Sequence, residues 1–118
     1  MENKIVHIEI PCKDVNMAKK FYESVFKWEV QIETGFPDYA FFKSGGEGVG
    51  GAFQKSDKIS KGEINLNIEV EDIPKALKKI TENGGKVIQE KTEIENDYGF
   101  YAVFEDNSGN ILGVWSQK

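Results

Sequence analysis

The feature that most constrains this chain is an internal repeat. Ile5-Val6-His7-Ile8-Glu9-Ile10 alternates between apolar and polar residues, and residues 64–70 do so again, with Ile8-Glu9-Ile10 echoed as Ile68-Glu69-Val70. Such alternation marks a half-buried β-strand. Each run leads into a helical pattern with an aspartate at the N-cap place, Asp14 and then Asp72, and an alanine four positions on, Ala18 and then Ala76. Ile8 and Ile10, like Leu66, Ile68 and Val70, point one way. His7 and Glu9, like Asn65, Asn67 and Glu69, point the other. The apolar side can pack under a helix, so the opposite side must face something polar.

At 118 residues the chain is expected to form a single domain, with the two copies (about 1–58 and 63–118) as halves of one core. It contains no apolar run of the roughly 18 residues needed to cross a membrane, and its N-terminus carries no signal-peptide pattern. Its one cysteine, Cys12, rules out an internal disulfide and fits a reducing compartment. The expected location is therefore the cytoplasm, with no membrane partner. A net charge of −5 and a pI near 4.9 argue against nucleic acid as a partner. All 15 basic residues are lysine. Without arginine, the usual planar fork for carboxylate and phosphate groups is missing.

The same order of elements is expected twice. In the first copy, residues 4–11 read as a strand that Pro11 ends. Residues 14–26 read as a helix with Val15, Ala18, Phe21, Tyr22 and Val25 on one stripe. Residues 28–33, 39–42 and 49–54 read as further strands, the last two joined by a glycine-rich turn. Residues 55–62 form a polar linker. In the second copy, residues 64–70 read as a strand and 72–83 as a helix, with Ile73, Ala76, Leu77 and Ile80 inward and Pro74 in the tolerant first turn. Residues 86–91, 99–105 and 111–117 read as strands. A shift of 62 sets Tyr39-Ala40-Phe41-Phe42 beside Tyr101-Ala102-Val103-Phe104 and Gly51 beside Gly113, whereas a shift of 60 sets His7 beside Asn67. The expected fold class is α+β, built from two βαβββ modules.

The residues His7 to Pro11, Phe21-Tyr22, Val25 to Trp28, Val70 to Ile73, Asn83 to Val87 and Asp106 to Trp115 together resemble the vicinal oxygen chelate superfamily. That group includes glyoxalase I, bleomycin-resistance proteins and extradiol dioxygenases, and the resemblance covers essentially the whole chain. It implies a curved mixed sheet closing into a cup with the helices outside, and commonly a homodimer. In the metal-using members, four ligands come from the first and last strands of the two modules. The matching positions here hold His7, Gly51, Asn67 and Gly113, of which His7 alone is an ordinary ligand type.

The expected ligand-binding set is His7, Gly51, Phe53, Asn67, Gly113 and Trp115, with Phe53, Ile111 and Trp115 as an apolar wall. His7, Glu9 and Glu69 are the candidate catalytic groups. If the repeat brings Glu9 and Glu69 together, one carboxyl would be raised and the two could act as acid and base; apart, they are solvated rim carboxylates. The two glycines are either packing positions or places that widen the cup. No bound cofactor is expected, and no metal at the four family positions. The function expected is binding of a small, partly aromatic organic molecule. The alternatives are a metal-dependent lyase, isomerase or dioxygenase, in which a divalent metal returns, and a ligand-free dimeric interaction module. Whether any reaction is catalysed stays open at this point.

Overall fold

The computed structural model describes residues 5–62 and 65–118. Lys4 and Ile64, where the two repeat strands were expected to begin, lie outside the described residues. The fold is α+β. Contacts group the chain into two compact units, Met1–Ile59 and Ser60–Lys118, each a βαβββ module with its own mixed four-stranded sheet.

In the first unit, β1 (Ile8–Cys12) leads into α1 (Val15–Phe26), followed by β2 (Glu29–Ile32), β3 (Tyr39–Lys43) and β4 (Gly50–Lys55). The sheet order is β1-β4-β3-β2, with β1 parallel to β4 and the other pairs antiparallel. The Asp14 side chain accepts from the Met17 backbone N–H at 3.0 Å and so caps α1. Lys27 closes the helix in the left-handed region, and Val15, Ala18, Phe21, Tyr22 and Val25 are all buried, as their spacing predicts. Pro11 does not end β1. The strand runs on to Cys12, because among the described residues β1 is an edge strand paired with β4, where a missing N–H costs no ladder bond. His7 falls one residue short of the strand.

The core of this unit is aromatic. Tyr22 lies 4.8 Å, centroid to centroid, from both Trp28 and Phe53, and Phe42 lies 4.8 Å from Trp28 and 4.9 Å from Phe53. Offset and tilted ring pairs at these distances add to what area burial alone contributes. At the other edge of the sheet, α1 reaches over β2. Lys19 Nζ donates to the Val30 carbonyl at 2.6 Å, and the Glu23 carboxylate accepts from the Val30 N–H at 3.2 Å and from Lys19 at 2.9 Å. The Lys19 hydrogen bond, assisted by the one from Val30, holds the Glu23 carboxyl below its ordinary value.

The second unit repeats the plan with β5 (Asn67–Glu69), α2 (Ile73–Glu82), β6 (Lys86–Glu93), β7 (Phe100–Glu105) and β8 (Ile111–Ser116). Its sheet order is β5-β8-β7-β6. Asp72 caps α2 through the Lys75 N–H at 3.0 Å, and Ile73, Ala76, Leu77 and Ile80 are buried. The turn between β7 and β8 is knotted by polar groups. The buried Asp106 carboxylate accepts from the N–H groups of Ser108 and Asn110 and from the Asn110 amide, each at 2.9 Å, while Asn110 Oδ1 accepts from the Ser60 N–H at 2.9 Å.

The strand registers correct the repeat alignment. Ala40 pairs with Phe53 and Phe42 with Gly51, whereas Ala102 pairs with Val114 and Phe104 with Leu112. Gly51 therefore answers to Leu112, and Gly113 answers to Ala52. The cause is the hairpin connection, which at residues 44–49 is one residue longer than at 106–110. Since side chains alternate, a slip of one residue moves each to the opposite face. In the first strands, Ile10 pairs with Phe53 and Ile68 with Val114. Glu9 is thus the counterpart of Asn67, and neither the matching of His7 with Asn67 nor that of Glu9 with Glu69 holds.

Candidate functional site

In the first unit, the face of the sheet turned away from α1 carries Glu9 from β1, Tyr39 and Phe41 from β3, and Ala52 and Gln54 from β4, with His7 just before β1. Glu9 and Phe41 flank the buried Ala52 in register, so the short alanine side chain leaves the longer ones standing above it. The Tyr39 hydroxyl donates to Glu9 Oε2 at 2.8 Å and lies 3.3 Å from His7 Nε2, which is itself 3.5 Å from Glu9 Oε2. A phenol, a carboxylate and an imidazole thus meet at one point, half-exposed to solvent.

The hydrogen bond to Glu9 raises the Tyr39 phenol above its ordinary value, because a phenolate there would give up that bond and face a carboxylate. Tyr39 stays protonated at neutral pH, and its proton is committed to Glu9. Beside it, Phe41 stands edge-on to the Tyr39 ring with centroids 5.1 Å apart. The two rings form one wall of an open groove of about 510 Å³, lined also by Gly35, Phe36, Pro37, Asp38 and Gln54. In the sequence, Tyr39 stands out only as the first residue of the repeated stretch Tyr39-Ala40-Phe41-Phe42. The signal that could have found it is its alternation with Phe41, which puts both on the face shared with Glu9.

The corresponding face of the second unit holds Asn67 and Glu69 from β5, Tyr101 and Val103 from β7, and Ile111, Gly113 and Trp115 from β8. The Tyr101 hydroxyl accepts from the Gln89 amide at 2.8 Å, and that amide also donates to Thr92. A Cβ placed on Gly113 would overlap the Asn67 side-chain oxygen. The Asn67 amide therefore fills the space that the missing side chain leaves. Trp115 is half-buried; its indole N–H donates to the Tyr98 carbonyl at 2.8 Å, and its ring packs so closely on Gly99 that a side chain there would collide with it.

Two of the expected site residues lie elsewhere. Phe53 is fully buried between Tyr22, Trp28 and Phe42, on the α1 side of the sheet, and forms no wall on the far face. Gly51 shares that side, and a Cβ on it would run into the Ile8 carbonyl oxygen. It is a glycine because β1 passes too close for anything larger, so it widens no cavity. Among the described residues, no three His, Cys, Asp or Glu side chains gather closely enough to hold a metal ion. His7 and Glu9 offer two donors in one place, Gly51 points to the helix side, and Gly113 has no donor. This set does not fit the four-ligand metal site that the family resemblance implies. No helix of the described residues is long and apolar enough to cross a membrane.

Comparison with known proteins agrees with this architecture. Residues 4–114 match the sequence model of the Glyoxalase/Bleomycin resistance protein/Dioxygenase superfamily. A glyoxylase-like domain-containing protein of Didymella fabae is 28% identical, over 97% of this chain and 94% of that protein. A Mycobacterium bovis relative at 26% identity is matched over 92% of this chain but only 43% of its own length. Among solved structures, a glyoxalase/bleomycin resistance protein/dioxygenase family enzyme from Burkholderia phytofirmans superposes with a TM-score of 0.79 at 17% identity, covering 95% of this chain and 97% of that one. The genomically encoded fosfomycin resistance protein FosX of Listeria monocytogenes does so with a TM-score of 0.78 at 16% identity, covering 98% and 94%.

Proposed function

Since the chain belongs to the Glyoxalase/Bleomycin resistance protein/Dioxygenase superfamily, we propose that it is a cytoplasmic protein binding a small, partly aromatic organic molecule without a bound metal. The observation that carries this reading is the meeting of Tyr39, Glu9 and His7 beside the rings of Phe41 and Phe36. A few convergent polar groups at the edge of an apolar groove are the usual make-up of a small-molecule site, and the groove has the volume of one. Glu9 and Tyr39 fix the polar end of the ligand and the rings take its body. Trp115, Asn67 and Gly113 are not required for this binding.

The test is a titration with a library of small aromatic molecules, followed by backbone and side-chain NMR. Binders should shift His7, Glu9, Tyr39 and Phe41, and Tyr39→Phe should weaken them by about fivefold to tenfold, the worth of one hydrogen bond. Binders that perturb Trp115 and Asn67 alone would overturn the assignment. A one-to-one metal in the purified protein, lost in His7→Ala, would restore the metal-dependent lyase, isomerase or dioxygenase. The ligand-free homodimer draws support from Ile5 and Val6, 70% and 73% exposed. It is the reading that stands if the library is silent and sedimentation gives a dimer.

A further inference from the structure

We propose that the molecule taken by the Tyr39 groove is an organic ammonium ion with an apolar, ring-sized body; this rests on the reading of the first unit as a small-molecule binder. The Tyr39 hydroxyl gives its proton to Glu9 Oε2 at 2.8 Å, so its oxygen can only accept, from His7 Nε2 at 3.3 Å or from a ligand. Glu9 is a carboxylate and accepts only. Asp38, which lines the groove, is another carboxylate.

The rest of the lining favours a cation with an apolar body. Phe36, Tyr39 and Phe41 bring aromatic rings to the lining, Phe36 and Phe41 being 65% and 43% exposed. A cation within about 6 Å of such a ring is drawn to its face. Among the described residues no lysine lines the groove, and the chain has no arginine. Lys43 shares the far face of β3 but sits opposite Glu29 in register. A carboxylate or phosphate ligand would meet the Asp38 carboxylate in the lining and Glu9 behind the Tyr39 hydroxyl, with His7 already set against Glu9 at 3.5 Å. An ammonium group set between Asp38 and the phenol oxygen is answered by a carboxylate and a lone pair while its body lies against Phe36, Pro37 and Phe41.

The experiment compares three molecules with the same phenylethyl body: 2-phenylethylammonium, 2-phenylethanol and 3-phenylpropanoate. Each is titrated into the full chain, and the amide shifts of Phe36, Tyr39 and Phe41 are followed. The ammonium ion is expected to bind about tenfold tighter than the alcohol, with the propanoate weakest. That advantage should shrink in Asp38→Asn and again in high salt, which screens exposed charges. Equal binding of the alcohol and the ammonium ion at these residues overturns the charge class and leaves the binding reading intact. If the three leave these residues unmoved while other library members shift His7 and Glu9, the class and the groove are wrong but the binding site stands. Silence from the whole library removes both.

Discussion

The two halves of this chain have the same frame and present different surfaces on it. Tyr39 and Tyr101 occupy the same place in corresponding strands, yet the first donates its proton to a carboxylate and the second accepts from an amide. Glu9 and Asn67 likewise correspond, and the first stands beside a phenol and an imidazole while the second folds over Gly113. In the second half, Lys91 already covers the ring of Phe100 at 4.5 Å, and Trp115 is tied to Tyr98. One module therefore keeps its titratable groups half-exposed and adjacent, and the other ties Tyr101 and Trp115 into internal bonds. The difference lies in side chains on one face; the helix caps and inward stripes that build the frame are shared.

The largest effect should come from the aromatic core of the first module. Phe53→Ala removes a fully buried ring that touches Tyr22, Trp28 and Phe42, and should lower the unfolding free energy by about 3–5 kcal/mol in a denaturant titration. Trp115→Phe, at the half-exposed position once grouped with it, should cost less than half as much. Comparable losses from the two would mean that both lie on the same kind of surface.

A smaller effect separates the two glycines. Gly51→Ala forces a methyl group into the Ile8 backbone, which can yield only if β1 moves, at about 1–3 kcal/mol. Gly113→Ala meets mainly the Asn67 side chain, a group free to swing aside, so its cost should be lower. In the double variant Asn67→Ala, Gly113→Ala most of that cost should vanish, which a double-mutant cycle reads directly. A larger loss at Gly113 than at Gly51 would contradict the registers described above.

Those registers also mark how far the sequence could be read. Alternation and helical spacing identified both modules and the inward stripes of both helices, because burial against a sheet imposes a period that no local detail disturbs. The matching Asp14 and Asp72 contained the correct shift for the first strands, since cap and strand move together. The shift of Gly51 onto Gly113 failed for a local reason. The two hairpin connections differ by one residue, and glycine tolerance in a turn hides where the extra residue sits. That single slip carried Phe53 from the core to an imagined wall. Tyr39 went unrecognised because its role depends on a contact with Glu9 across 30 positions of sequence, a pairing that only the strand order β1-β4-β3 brings about.

The smallest effect belongs to the phenol. Tyr39 should titrate above its ordinary value of 10.0, and Glu9→Gln should return it toward that value in an ultraviolet difference titration. The folded phenol is the one with the raised value, so its contribution to stability is complete below the unfolded value and fades as pH climbs through the folded one. A Tyr39 titration unchanged by Glu9→Gln would separate the two groups and leave the first module no different in kind from the second.

The clasp of Lys19 and Glu23 on Val30 reaches beyond the fold itself. β2 is the last strand of its sheet, and an exposed strand edge is a template on which another chain can polymerise. Here the N–H and the carbonyl of its second residue are both occupied by side chains from α1. The edge is sealed at its middle against recruitment of a foreign strand, including a strand of an identical molecule. Self-association that extends this sheet from β2 would have to displace the clasp.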